Sequence, residues 1–200
     1  MEQNHIELIG CLASAPQYSH SNHGRHFYSF FLEVSRLSGA VDRLPILAAF
    51  DLLDETPAEE GDCLRIAGQL RSFNNRLGSG RKLVISLLAE EIEVCDRLHD
   101  NRVELRGVVC KEPVYRRTPL GREICDLMLA VNRPYHRADY LPCILWGHYA
   151  QEGASYGVGT PVAISGRFQS RQYIKVIGGI PEERTAYEIS AITAHRAEEE

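Results

Sequence analysis

The sequence has no long apolar segment. Its 200 residues contain no uninterrupted apolar run close to the roughly 18–20 residues that a membrane-spanning helix needs. The first residues also lack a basic region followed by an apolar stretch, which is the signature of a secretory signal. We therefore expect neither a membrane span nor an export signal.

Metal-binding and redox cysteine motifs are missing as well. The six cysteines include no C-x-x-C pair, which argues against zinc-ribbon and thioredoxin-type sites. Most lie in apolar patterns, where a free cysteine behaves as a small buried hydrophobe. Because no export signal is expected, we predict reduced thiols in a cytoplasmic protein.

The sequence also lacks the common catalytic motifs. It contains no Walker A loop, no G-x-S-x-G and no H-E-x-x-H, which removes the usual support for nucleotide hydrolysis, serine hydrolase chemistry and zinc peptidase chemistry. Its paired glutamates are typical of solvated strand or helix ends. We predict a protein that is not an enzyme and that needs no cofactor.

Lysine is scarce while arginine is abundant. The net charge is −5, yet the chain has only three lysines against nineteen arginines. No acidic residue lies between Asp62 and Glu90 or between Glu152 and Glu182, and both stretches contain arginines. A mildly acidic protein can therefore still present basic surfaces, and arginine is suited to stacking on bases and forking onto phosphates.

An internal repeat divides the chain. Shifting the sequence by 97 positions gives 14 identities over the 42 residues that begin at Asn4, and the match resumes one residue later at Gly61 and Gly68. We interpret this as a duplicated domain, with a first domain at 1–97 and a second at 98–200. The joint at 95–100 is short, so we expect the two domains to pack together.

Each repeat predicts strands with one short helix. Apolar residues alternate in five segments per repeat, and the helices are expected at 51–60 and 148–156, between the third and fourth strands. Four glycines, at 10, 68, 107 and 166, fall inside strands, where glycine marks a bulge or bend. The predicted fold class is all-β, with two tandem five-stranded OB-fold barrels, each with a short helix between strands 3 and 4.

Six segments have the order and spacing of a known family. They are residues 68–72, 101–107, 112–113, 118–121, 129–133 and 139–147. Together they resemble the bacterial single-stranded DNA-binding protein (SSB) family in a tandem OB-fold form, and they are similar also to primosomal replication protein N. The resemblance implies binding of single-stranded DNA without sequence specificity in replication, recombination and repair, by a bacterial, nucleoid-associated protein.

The resemblance also implies which residues contact DNA. Tyr135, Trp146 and Tyr173 match base-stacking aromatics of the family, and Tyr140 is a weaker match. In the first repeat, Leu37, Ala49 and Asn75 occupy the three stacking positions, although that repeat keeps Arg71 and adds Phe73. We therefore expect the second repeat to be the principal stacking site and the first to contribute more charge.

Basic and aromatic residues alternate in four clusters of the second repeat. A single-strand binder needs cations along the phosphates and aromatics beneath the bases, and the clusters supply Tyr115, Arg116, Arg133, Arg167, Arg171 and Lys175. Two alternatives stay open: each tyrosine can be ordinary barrel packing, and Trp146 can be a core residue at a strand end.

Two further features affect the expected partners. His20, His23 and His26 invite a metal site, but alternate strand residues point to opposite faces, so we predict no bound metal. The sequence ends at 194–200 without a Gly/Pro-rich linker or apolar tip, so we do not expect tail-mediated protein recruitment. We expect a homodimer with four OB folds or a monomeric pseudo-dimer, and we keep a replication or primosome adaptor as the alternative function.

Overall fold

Alternating apolar residues in the first half become strands that bury one face. In the computed structural model, which describes residues 3–74, 83–97 and 99–198, Ile6 and Leu8 are buried while Glu7 between them is half-exposed. The elements of this half are β1 (Asn4–Leu12), β2 (Gln17–Asn22), β3 (Arg25–Ser35), β4 (Val41–Ala49), α1 (Phe50–Glu55), β5 (Cys63–Asn74) and β6 (Leu83–Val94).

The second half repeats this order. Its elements are β7 (Asp100–Val109), β8 (Val114–Arg117), β9 (Glu123–Arg133), β10 (Arg137–Trp146), α2 (His148–Gly153), β11 (Pro161–Ile177) and β12 (Ile180–Arg196). The strand pairings close each half into a ring: β1-β3-β4-β6-β5 in the first barrel and β7-β9-β10-β12-β11 in the second. The predicted pair of five-stranded OB-fold barrels is confirmed, each with a helix after the third strand of its ring, which is β4 in the first barrel and β10 in the second.

The sequence reasoning missed the hairpin strands β2 and β8. Every residue of β2 and β8 is exposed, so neither strand has the apolar alternation that reveals a half-buried strand. They form because β3 and β9 extend beyond the barrel and offer an unpaired edge, with which β2 and β8 pair in antiparallel register.

Both helices are shorter than predicted. The first was expected over 51–60 but ends at Glu55, two residues before Pro57, and the residue before a proline disfavours helical backbone. The second was expected over 148–156 but ends at Gly153, where glycine weakens a helix.

The last two strands are longer than predicted. The apolar pattern of the sequence predicts strands at 162–168 and 186–193, whereas β11 and β12 each have 17 residues. They continue into a protruding hairpin because Gly178 and Gly179 both adopt positive φ angles, of 58° and 84°, which glycine accommodates without steric cost.

The strand glycines mark bends, as expected. The β5–β6 register shifts at Gly68 and the β11–β12 register shifts at Gly166. At Gly107, an added Cβ would lie 2.5 Å from the carbonyl oxygen of Ala130. These close approaches let strongly coiled strands close a small barrel.

The two barrels join edge to edge through β1 and β7. These strands pair antiparallel, and Ile6 lies opposite Val103. The two residues are repeat equivalents, 97 positions apart, so the contact is related by a local two-fold axis, like the self-complementary interface of a symmetric dimer. The pairing merges all strands into one sheet of 12 strands.

Candidate nucleic-acid interface

Trp146 lies on the surface of the second barrel. It is the last residue of β10, and its side chain is 37% exposed. The indole Nε1 donates a hydrogen bond to Ser190 Oγ at 3.0 Å, which fixes one edge of the ring. The alternative in which Trp146 belongs to the core does not fit this exposure. An anchored, exposed indole is a suitable platform for stacking a flat partner.

Trp146 shares one strand face with Tyr140. The two lie six residues apart on β10, so their side chains point to the same side at a distance of about 20 Å. Tyr140 is 46% exposed. Tyr135 is 91% exposed in the turn between β9 and β10, where it adopts a φ of 63°. The three aromatics that family resemblance places near DNA on β9–β10 are therefore all solvent-accessible.

Arg116 lies in line with Trp146 across the sheet. It pairs with Ile124, which in turn pairs with Trp146, so the three side chains form a row on one face. The guanidinium binds Asp126 through Nε at 2.7 Å. Its charge is therefore locally compensated before any ligand binds.

Tyr115 belongs to a second polar cluster at the same hairpin. Its hydroxyl donates to Glu123 Oε1 at 2.7 Å, and Arg117 donates to the same oxygen at 2.9 Å. Hydrogen bonds from Arg117, Tyr115 and Gln151 lower the pKa of Glu123, and the bond to Glu123 raises the pKa of Tyr115. The tyrosine ring is 41% exposed and oriented by its hydroxyl.

The β11–β12 hairpin carries the third group of predicted residues. The guanidinium of Arg171 lies 5.7 Å from the centre of the Tyr173 ring, within cation–π range, and it pairs with Glu188 at 3.2 Å. Lys175 and Arg167 are exposed. Within the described parts of the chain, neither has a carboxylate partner, so these two cations are available to an anionic ligand.

Arg71 and Arg133, which were predicted to contact DNA, meet at one buried carboxylate. Both guanidiniums bind the buried carboxylate of Asp139, at 3.0 and 3.3 Å. The backbone N–H of Ser72 donates to the same carboxylate at 2.6 Å. Because Arg71 belongs to the first barrel and Asp139 to the second, this is an inter-barrel ion-pair network.

The first barrel contributes the matching half of this network. Asp42 is buried and accepts hydrogen bonds from Arg36 Nη2 at 2.6 Å and from the backbone N–H of Ser170 at 2.7 Å. Arg36 and Asp42 are the repeat equivalents of Arg133 and Asp139. Sequence reasoning missed the role of these residues, although their recurrence in both repeats was the available signal.

The first barrel also has partly exposed aromatics, Phe27 and Phe31, that were not predicted. The His20 imidazole stacks on Phe27 with centroids 5.1 Å apart and planes 9° apart, and the Arg43 guanidinium lies 4.8 Å from the centre of Phe31. The predicted Phe73 is 54% exposed at the end of β5. Asn75, which was expected at a stacking position, lies outside the described residues.

A groove separates the first barrel from the long hairpin of the second. It has a volume of about 580 Å³ and is lined by residues that include Phe31, Arg36, Arg43, Gln172 and Tyr187. One aromatic ring from each barrel, Phe31 and Tyr187, and two guanidiniums of the first barrel, Arg36 and Arg43, therefore line one groove. A flexible chain with flat rings and negative charge fits such a lining.

No metal centre is apparent in the described residues. They contain no group of three or more His, Cys, Asp or Glu side chains suited to a metal ion. His20 is stacked on Phe27, and His23 occupies a turn with a φ of 48°. In the same part of the chain, no helix is long and apolar enough to cross a membrane.

Comparison with known proteins connects this geometry to a family. Residues 100–196 match the model of the Single-strand binding protein family. A single-stranded DNA-binding protein of Halalkalibacterium halodurans is 36% identical over 80 residues, which cover 36% of this chain and 48% of that protein. Single-stranded DNA-binding protein 1 of Staphylococcus aureus is similar to the same extent. The chain spans about half the length of the curated relatives it matches.

Solved structures extend the similarity to both barrels. The wild-type single-stranded DNA binding protein of Thermus aquaticus is 21% identical, with a TM-score of 0.80, over 98% of this chain and 94% of that one. This likeness establishes the tandem fold over the full length. The N-terminal domain of PriB from Thermoanaerobacter tencongensis is 36% identical over 47% of this chain, with a TM-score of 0.42. The second half of the chain is therefore similar to the Single-strand binding protein family.

Proposed function

We propose that this protein binds single-stranded DNA without sequence specificity, by stacking bases on aromatics and pairing phosphates with arginines. The observation that carries the proposal is the face of β9–β10, on which Trp146 and Tyr140 lie about 20 Å apart and Arg116 lies in line with Trp146. Every base has a flat face, so stacking on such a surface tolerates any sequence.

The cations divide into two groups with different roles. Lys175 and Arg167 are exposed and can meet phosphates directly. Arg116 and Arg171 must exchange Asp126 and Glu188 for phosphate, so each contributes less net affinity. Arg71 and Arg133 hold Asp139 across the two barrels, so a phosphate contact by either arginine requires its guanidinium to be shared with that carboxylate.

The biological role that we propose is in DNA replication, recombination and repair. We infer a binding protein rather than an enzyme from the similarity to the Single-strand binding protein family. We place the domain boundary near residues 97 and 98, because β6 ends at Val94 and β7 begins at Asp100. Two assemblies agree with the fold: a monomeric pseudo-dimer, or a homodimer with four barrels.

The proposal is tested by titrating Trp146 fluorescence with oligo-dT at low and moderate salt. Trp146 is the only tryptophan, so quenching reports on one site. We expect strong quenching and an affinity that falls with salt, since phosphate neutralisation on single strands gives a log–log slope of about −0.7 per phosphate. Binding without quenching would remove Trp146 from the site, and the absence of binding by any probe would refute the proposal.

A protein-binding adaptor is the second candidate function. It is favoured by the β11–β12 hairpin, where Ile174, Val176 and Ile180 are 71%, 66% and 68% exposed. Exposed apolar patches commonly mark protein contacts. This alternative predicts weak binding of oligo-dT that does not depend on Trp146, together with a protein complex that an Ile174→Asp change disrupts.

A further inference from the structure

Each barrel has a large aromatic residue in the equivalent strand pair, but on a different strand of that pair. In the second barrel, Trp146 on β10 lies opposite Ile124 on β9. The repeat-equivalent pair in the first barrel is Ala49 on β4 opposite Phe27 on β3. Directly opposed residues of antiparallel strands share one face and lie about 5 Å apart. The aromatic that the first barrel lacks at Ala49 is thus present on the neighbouring strand.

Phe27 begins an aromatic face on β3. Phe27 and Phe31 alternate with Phe30 and Leu32, which are buried in the core, so both point away from the core on the outer face. They lie four residues apart, or about 13 Å along the strand. The His20 imidazole, stacked on Phe27, enlarges that platform.

A cation accompanies the second aromatic of this face. The Arg43 guanidinium lies over Phe31, and it has no carboxylate partner among the described residues. Phe31 and Arg43 also line the groove that reaches Gln172 and Tyr187 of the long hairpin. The face is therefore continuous with the groove between the barrels, which Arg36 and Arg43 of the first barrel also line.

From these observations we infer that the first barrel has its own base-stacking site, formed by Phe27 and Phe31 with His20 and Arg43, for unpaired bases of single-stranded DNA. The inference rests on the proposed function and deepens it. Nucleic acid fits this face better than an apolar peptide does, because an uncompensated guanidinium sits beside the rings and the face leads into an arginine-lined groove. Stacking platforms flanked by cations are the usual elements of single-strand binding.

The test replaces Phe27 with the residue that occupies the same position in the second barrel. We expect Phe27→Ile to weaken binding of a long oligo-dT about fivefold or more, which is the lower limit for losing one stacked base, and to reduce the number of nucleotides covered per chain. Quenching of Trp146 by a short oligo-dT should be unchanged. Phe50→Ile is the matched control, because Phe50 contacts Tyr28, which points to the other face of β3.

Moving the aromatic across the strand pair provides the decisive variant. In Phe27→Ile/Ala49→Trp, a ring returns to the same face from the neighbouring strand, so both affinity and covered length should recover. A Phe27→Ile protein that binds like the wild type, or a loss that Ala49→Trp does not restore, would overturn the inference. If Phe27→Ile fails to fold, Arg43→Gln tests the same face, because it should lower the salt slope by about 0.7; an unchanged slope would overturn the inference.

The outcomes separate this inference from the proposed function. A wild-type chain that binds no oligo-dT would refute both. A chain whose binding depends on Trp146 but not on Phe27 or Arg43 would keep the proposed function and overturn the first-barrel site. If this face binds a protein instead, Phe27→Ile, Phe27→Ile/Ala49→Trp and Arg43→Gln would leave DNA binding unchanged, and the first-barrel stacking site would be overturned in the same way.

Discussion

The two barrels share their internal scaffold and differ at their surfaces. Gly10 and Gly107 allow the same close strand approach, and Asp42 and Asp139 accept hydrogen bonds from the opposite barrel. The aromatics on the outer faces, in contrast, lie on different strands and have different neighbours. The comparison indicates that closing and joining the barrels requires particular residues, whereas a stacking surface requires only a ring on the correct face.

The largest expected effect concerns the inter-barrel carboxylates. Asp139→Ala leaves Arg71 and Arg133 without their buried partner, and removing one partner of a buried pair costs about 3–5 kcal/mol. Asp42→Ala should cost less, because it leaves only Arg36 without its carboxylate. Urea unfolding of both variants measures the difference.

An exposed ion pair gives the control for this prediction. Asp126 pairs with Arg116 at a site where both side chains are more than 40% exposed, so Asp126→Ala should change the free energy of unfolding by about 1 kcal/mol or less. Equal losses in Asp139→Ala and Asp126→Ala would contradict a structural role for the inter-barrel network.

The next effect concerns stacking in the second barrel. Trp146→Ala and Tyr173→Ala should each weaken oligo-dT binding by about 1–3 kcal/mol, the cost of losing one stacked base. Leu37→Ala, at a first-barrel position that lacks a family aromatic, should have no effect. A fluorescence anisotropy titration with labelled oligo-dT suits all three variants. Losses as large at Leu37 as at Trp146 would remove the predicted difference between the barrels.

Salt dependence should distinguish free cations from paired ones. Lys175→Gln should reduce the log–log salt slope by about 0.7, the value for one phosphate on a single strand. Arg171→Gln should reduce it less, because Arg171 already neutralises Glu188. In turn, Glu188→Gln should strengthen binding by releasing that guanidinium. Affinities measured over a series of NaCl concentrations give the slopes, and a weaker complex in Glu188→Gln would contradict the exchange of partners.

The sequence predicted the fold well because each barrel's core follows a period of two. Alternation such as Ile6 and Leu8 with Glu7 marks a half-buried strand from the sequence alone. The β2 strand escaped prediction because all its residues are exposed and its pairing depends on an edge that β3 supplies. The lengths of β11 and β12 depended on the turn at Gly178 and Gly179, which local pattern did not reveal.

The site was less predictable because its chemistry depends on contacts between strands. The sequence predicted Trp146 and Tyr173 as stacking aromatics and Arg71 and Arg133 as DNA contacts, but it did not reveal that both arginines pair with Asp139. Asp139 lies 68 residues from Arg71 in sequence, and the sequence signal for its role was the recurrence of Arg36 and Asp42 as Arg133 and Asp139. The sequence also did not single out Phe27, because the argument for it depends on its pairing with Ala49 on the neighbouring strand.

The smallest expected effect concerns a thiol pair of the first barrel. Cys63 Sγ lies 3.8 Å from Cys95 Sγ, whereas the repeat position of Cys63 in the second barrel is Pro161. Burial and the neighbouring thiol raise the pKa of Cys63 to about 11. The pKa of Cys63 is higher in the folded state than in the unfolded state. The stability that the protonated thiol contributes to the folded state is therefore fully present below pH 9 and is lost as the pH rises towards 11.

Alkylation rates measure this shift directly. Iodoacetamide reacts with the thiolate, so modification of Cys63, followed by mass spectrometry, should be slow at pH 8 and should accelerate at a higher pH than modification of free cysteine does. Cys95→Ser removes the neighbouring thiol and should move the rate profile of Cys63 towards lower pH. If Cys63 reacts at pH 8 as fast as free cysteine, its burial and its contact with Cys95 do not raise its pKa.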